Sequence, residues 1–267
     1  MYATICPPIQ ICPTLLDGLN QLAETAAKVY GNQKKLSYLD KSGRFCRETH
    51  FSTVLSEMVC SEQNVQAVVG ILTQQGCPKD GVKTAVLLLS ALLHGVHTHG
   101  IQEQDFHASI TPMTTYMKEY LQRIDRQTQK GLPGGGLYLI NLARPLDSFA
   151  NNNPQYAMAT RLMVAALAEP LKTLAKNAKL DPCEVYERVK ALAPNQFFSL
   201  NHFGLERSID RETTYTDVIE YGVDLADQRI KNLLDANITV SLQTAYDMLD
   251  YVADMAKEIC AIADFVF

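Results

Sequence analysis

The stretch Gly76-Cys77-Pro78-Lys79-Asp80-Gly81-Val82-Lys83-Thr84 puts a turn of proline, glycine and charge directly before AVLLLSALLHGV, the most apolar run in the chain. These residue types at this spacing suit phosphate chemistry. The N-terminus of a helix presents N–H groups with no intrahelical partner, and they attract anions. Lys83 adds a point charge, Thr84 a hydroxyl, and Asp80 a carboxylate of the kind that holds Mg²⁺ against phosphate oxygens. The plainer reading makes Asp80 the N-cap or first-turn acid of an ordinary helix, facing the positive end of its dipole.

Other groups carry less. His94 and His97 in HGVHTH are three residues apart and could share a metal on one helical face, with His99 and His107 nearby. Histidines at the end of a helix also simply complement its dipole, and that is the favoured reading. Cys6 and Cys12 sit beside prolines, where pairing or reaction competes with the simpler picture of a mobile N-terminal arm over residues 1–13. No G-x-S-x-G elbow supports a hydrolase. KGLPGGGL at 130–137 places a proline and four glycines together, so the backbone there adopts conformations that a Cβ would forbid, or something approaches it closely.

The elements that must position these residues are mostly helices. Apolar residues recur at helical spacing over 14–30, 52–74, 82–96, 112–127, 137–150 and 155–179, the last kinked by Pro170. Further helices are expected from Asp181-Pro182 to about Leu192 and over 216–221, 227–236 and 239–262, with a loop at 194–215 and a short strand in the tail ADFVF. Residues 82–96 are apolar nearly all round, as a helix at the centre of a bundle must be. KLSYLDKSGRFCRETH alternates around Lys41-Ser42-Gly43 and reads as a β-hairpin. The 267 residues carry a net charge of −5 and no basic block, which disfavours nucleic-acid binding. Seven cysteines, odd in number and without a CxxC pair, point to reduced thiols and a cytoplasmic protein. No basic, apolar N-terminal leader is visible, although export without such a signal stays open, and the longest apolar run is too short to insert in a membrane.

In this order the segments resemble the equatorial domain of the group I chaperonins, the bacterial double-ring folding machines. DGLNQLAETAAKVYG resembles that family's first long helix and turn, LSYLDKSG its stem-loop hairpin, and KDGVKTAVLLLSALLHG its Asp-Gly-Thr-Thr-Thr-Ala-Thr-Val-Leu segment. GGGLYLI resembles its Gly-Gly-Gly-Val-Ala-Leu, ALAEPLKTLAKNAKLDPCEVYERVK its helix-Pro-Leu-helix segment, and DVIEYGVDLADQRIKNLL its closing Asp-Met-Ile element. One gap differs. Where the family inserts its apical domain and both halves of its intermediate domain, RIDRQTQK here runs straight into GLPGGG.

The resemblance implies a mainly α, equatorial-like helical bundle with one small β-hairpin, a single domain built from two halves at about 14–129 and 134–262. It also implies a nucleotide site with ATP or ADP and Mg²⁺: Gly31 beneath the nucleotide, Asp80 on the metal, Gly81, Lys83 and Thr84 at the phosphates, Gly135 by the ribose, and Asp224 or Asp227 on its hydroxyls. Val82 and Lys83 replace two of the family's three threonines, and Lys83 could pair with a phosphate or equally fill the empty site. Thr49-His50-Phe51 stands where the family has Lys-Asp-Gly. The general-base aspartate belongs to the missing intermediate domain. Hydrolysis is therefore expected to be poor or absent. In the resembled family the C-terminal strand pairs with a neighbour's hairpin, which makes Phe265, Val266, Phe267, Leu36 and Tyr38 interface candidates, in a homo-oligomer or a larger protein assembly. The resulting expectation is a degenerate chaperonin-related scaffold or adaptor. A minimal Mg²⁺-dependent ATPase using Asp80 and a secreted or host- or phage-directed helical binding protein are the alternatives.

Overall fold

The computed structural model describes residues 9–31, 35–74, 76–191, 196–201, 204–209, 218–224 and 229–263, with backbone only over 196–201 and 204–209. The chain opens with Ile9 and Ile11 buried in the core and the Ile9 N–H donating to the Ile101 carbonyl at 2.8 Å. Residues 9–13 therefore do not form a mobile arm; Cys6 lies outside the described residues. Helix α1 (Pro13–Lys28) follows, then strands β1 (Leu36–Leu39) and β2 (Phe45–Glu48).

These two strands form the expected hairpin, with Leu36 opposite Glu48 and Leu39 opposite Phe45. Its turn is made by Asp40. The carboxylate accepts from the Ser42 N–H at 2.9 Å, the Ser42 hydroxyl at 2.6 Å and the Arg44 N–H at 2.9 Å, while Gly43 adopts φ +79°.

The single helix expected over 52–74 is two, α2 (Phe51–Glu57) and α3 (Gln63–Gln74). The hairpin takes the backbone between them: Met58 bridges Asp40, and the Val59 N–H donates to the Leu39 carbonyl at 2.9 Å. Helix α4 (Val82–His99) is buried nearly all round and packs against α1, α7, α8 and α10. Helix α5 (Glu103–Thr128) begins earlier than the expected residue 112 and carries Pro112 inside it. Burial of Phe106, Ile110, Met113, Met117 and Leu121 along one face outweighs the one hydrogen bond that proline removes.

Only Gln129–Gly131 separate α5 from strand β3 (Leu132–Pro133). Helix α6 (Leu137–Asn152) then leads through a short 3-10 turn to α7 (Ala157–Leu167), α8 (Glu169–Asn177) and α9 (Pro182–Ala191). The break between α7 and α8 falls at Ala168, two residues before Pro170.

The segment expected as loop at 194–215 contains the antiparallel strands β4 (Gln196–Asn201) and β5 (Gly204–Ile209). The helices expected at 216–221 and 227–236 are also overturned: β6 (Tyr221–Asp224) pairs antiparallel with β7 (Arg229–Asn232). A short apolar run does not distinguish strand from helix by its spacing. Packing decides here, because Gly222 lies flat on α6, where a Cβ would come within 2.8 Å of Leu137. Strand β8 (Thr239–Val240) pairs with β3, and α10 (Leu242–Ala263) closes the described chain.

The fold is thus mainly helical, with small antiparallel strand pairs. One continuous cluster of buried side chains draws on residues before and after the glycine-rich turn, from Leu19 and Leu92 to Leu142, Met163 and Val252. No helix among the described residues is long and apolar enough to cross a membrane.

Candidate functional site

Three element ends meet around a cavity of about 480 Å³. The end of α1 contributes Tyr30 and Gly31, the turn into α2 and its first residues contribute Thr49, His50 and Ser52, and the start of α4 contributes Lys79, Asp80, Gly81, Lys83 and Thr84. The structure therefore brings together five residues singled out by the sequence, Gly31, Asp80, Gly81, Lys83 and Thr84.

The start of α4 differs from expectation in one respect. Gly81, in the left-handed region at φ 82°, is the N-cap; Asp80 precedes it and its exposed carboxylate caps nothing. A Cβ on Gly81 would stand 3.2 Å from the Met248 Cβ, so α10 presses this turn into shape.

Several other polar groups in and beside the cavity have partners within the protein. Thr84 is 8% exposed, and its hydroxyl shares a hydrogen bond with the Tyr30 phenol at 3.0 Å. Burial pushes Tyr30 up to about 12. Tyr138, at the start of α6, is buried beside this pair; burial raises its pKa, the neighbouring Tyr30 adds to the rise, and the Thr84 hydroxyl opposes it. The Lys83 ammonium donates to the Val29 carbonyl at 3.4 Å, and burial lowers its pKa. The Ser52 hydroxyl donates to the Lys79 carbonyl at 3.2 Å. The Glu48 carboxylate is turned onto the N–H groups of His50 and Thr49, which hold its pKa down.

Gly135 and Asp224 lie outside the lining of this cavity. They are close to each other: a Cβ built on Gly135, at φ +60°, would meet Leu233 at 2.9 Å and the Val223 carbonyl at 3.4 Å. Asp224 is 7% exposed and forms an ion pair with Lys231 across the β6–β7 hairpin. Leu174, which also approaches Gly135, packs with Tyr30 and Leu87, so an apolar cluster lies between the two groups of candidate residues. Asp227 lies outside the described residues, as do Phe265, Val266 and Phe267.

A Mg²⁺ ion takes near-octahedral oxygen coordination. Among the described residues of the lining Asp80 offers the one carboxylate, and the Thr84 hydroxyl at the start of α4 is hydrogen-bonded to Tyr30. Magnesium carried with a nucleotide is commonly held by one or two carboxylates together with water and the phosphates themselves, so Asp80 would be the protein's one carboxylate ligand there.

The histidines have separate partners: His94 Nε2 donates to Asn20 Oδ1 at 2.8 Å, and His99 Nδ1 to the Gly95 carbonyl at 2.9 Å. Among the described residues no three His, Cys, Asp or Glu side chains gather as a metal-binding group. Cys12 sits at the start of α1, where the N–H groups of Leu15 and Thr14 lower its pKa.

Two features escaped the sequence reading. Asn177, at the end of α8, donates to the Ala27 carbonyl at 2.8 Å and the Tyr30 carbonyl at 3.0 Å, closing the end of α1. The exposed face of the hairpin carries Leu39 and Phe45, not Leu36 and Tyr38. Leu36 packs on the core and the Tyr38 hydroxyl donates to Glu57 at 2.7 Å. The alternation of the strands contained the second signal, since neighbouring residues point to opposite faces. Nothing local marked Asn177.

Comparison with known proteins bears on the whole arrangement. Residues 122–267 match the TCP-1/cpn60 chaperonin family. Chaperonin GroEL 3 of Psychromonas ingrahamii is 34% identical over 92 residues, which cover 34% of this chain and 15% of that protein. The family match covers more than half of the chain and takes in the glycine-rich turn and every element from α6 to α10, and the protein belongs to the TCP-1/cpn60 chaperonin family.

Proposed function

We propose that this chain is a chaperonin-related structural or interaction protein, a scaffold or adaptor subunit that works through its surfaces and not through ATP-driven folding. The observation that carries the reading is the tip of the hairpin. Leu39 and Phe45 are direct cross-strand partners, 49% and 71% exposed, and Val59, 51% exposed, is hydrogen-bonded to Leu39. Three large apolar side chains grouped in water are the mark of a surface that another protein covers. The direct passage from α5 through Gln129–Gly131 into β3 supports the same reading, because the resembled family places its polypeptide-binding domain at that point. The terminal Phe265, Val266 and Phe267 belong to the proposed interface, and the chain as a whole to one domain of two sequence halves.

The test is the mass of the purified protein in solution, measured by light scattering, together with calorimetric titration by ATP and ADP with and without Mg²⁺. Assembly that weakens in Phe45→Glu, with no heat from millimolar nucleotide, is the expected result. A monomer that binds no copy of itself and no co-purifying protein, or whose associations ignore Phe45→Glu, would sink the interaction reading.

One observation favours a second reading. The Asp80 carboxylate is exposed at the mouth of the cavity and caps no helix. A minimal Mg²⁺-dependent nucleotide-binding protein predicts heat that requires Mg²⁺ and vanishes in Asp80→Ala.

A further inference from the structure

The end of α1 is held by side chains from three other helices. The last carbonyls of any helix lack intrahelical partners, and a cation is favoured beside them. Lys83, from the first turn of α4, places its ammonium 3.4 Å from the Val29 carbonyl, and Asn177 of α8 donates to the carbonyls of Ala27 and Tyr30. Tyr30 is turned inward onto Leu87 and Leu174, its phenol 3.0 Å from the Thr84 hydroxyl, with Tyr138 of α6 buried alongside. The turn at Gly31, at φ +73°, follows directly from this anchored residue.

We infer that Lys83, Thr84 and Tyr30 form an internal fastening that holds the turn at Gly31 without any ligand, with the Lys83 ammonium as the resident cation of the cavity. The cavity wall is then constitutive: nucleotide and Mg²⁺ neither order it nor move it. This goes beyond the proposed scaffold role, because a scaffold could still have a mobile, ligand-responsive turn at this place.

Hydrogen–deuterium exchange on the full chain separates the two cases. Lys83→Met keeps the apolar stem and removes the charge; Thr84→Val keeps the shape and removes the hydroxyl. Each is expected to speed exchange at Val29–Gly31 by about five- to tenfold, as loss of one hydrogen bond implies. The unaltered protein should show the same exchange there, and the same Tm, with and without millimolar ATP or ADP and Mg²⁺. If nucleotide slows that exchange or raises Tm, or if both variants leave residues 29–31 unchanged, the inference is wrong. Should Thr84→Val fail to fold, Tyr30→Phe removes the same hydrogen bond from the other side and is read in the same way. Failure here leaves the hairpin-based assembly intact, since that is measured by Phe45→Glu and by mass.

Discussion

At the scale of single residues, the glycine-rich turn illustrates how far local chemistry reaches. Four glycines and a proline imply that backbone or ligand comes close, and the structure shows that the chain itself comes close. A Cβ on Gly134 would meet the Ile238 carbonyl oxygen at 2.7 Å, and one on Gly136 the Leu171 nitrogen at 3.1 Å. Gly134 also donates its N–H to Ile238 at 2.8 Å, so a side chain there must push β3 from β8. Gly134→Ala is expected to destabilise by about 2 kcal/mol, the cost of overpacking a rigid contact, measured by denaturant unfolding. Unchanged stability would mean that the β3–β8 contact is loose. Asp80 shows the opposite limit. An acid before an apolar helix reads as a cap, yet the left-handed Gly81 takes that position under Met248, and Asp80 stays in solvent.

At the scale of elements, the hairpin was legible because its turn chemistry is local. Asp40, Ser42 and Gly43 supply a carboxylate acceptor, two donors and a positive φ within four residues. The same carboxylate makes the turn sensitive to acid. The Ser42 hydroxyl, foremost, and the Arg44 and Ser42 N–H groups hold its pKa at about 2, below the ordinary 3.8. A lowered carboxylate pKa contributes stability that is present above the unfolded value and lost as pH falls through the folded one. The Ser42 and Arg44 amides should therefore lose protection between about pH 4 and pH 2, and Asp40→Asn should weaken that dependence. Amide exchange followed by NMR against pH reads both, and protection that is flat across the window would refute the assignment. Elements 216–236 were not legible. Tyr221–Asp224 and Arg229–Asn232 are strands because Gly222 and Val223 lie against Leu137 and Ile140 of α6, far earlier in the sequence.

At the scale of the molecule, α4 is the hub. Leu88, Leu92 and Leu93 are fully buried among α1, α7, α8 and α10. Leu92→Ala is expected to cost about 3 kcal/mol through lost burial and the cavity left behind. Urea unfolding followed by circular dichroism measures it, and a loss under about 1 kcal/mol would show that neighbouring helices collapse into the space. The exposed hairpin tip acts at this scale too, because its energy is released only on association. Phe45→Glu should reduce assembly and leave unfolding stability nearly unchanged, Phe45 being 71% exposed in the single chain.

The sequence by itself determined the helical class, the central place of 82–96, the hairpin turn, the break near Pro170 and the order of segments that resembles a chaperonin. The first four depend on periodicity or turn chemistry within a few residues; the last is a resemblance carried by six segments in order along the chain. Only the tertiary structure decided which polar groups of the cavity are already occupied. Lys83 and Thr84 look like ligand donors in sequence, but the carbonyl of Val29 and the phenol of Tyr30 reach them first, from residues more than fifty positions away. Hydrogen-bond satisfaction in a buried site is settled by whatever the fold brings within about 3 Å, and no local pattern encodes that.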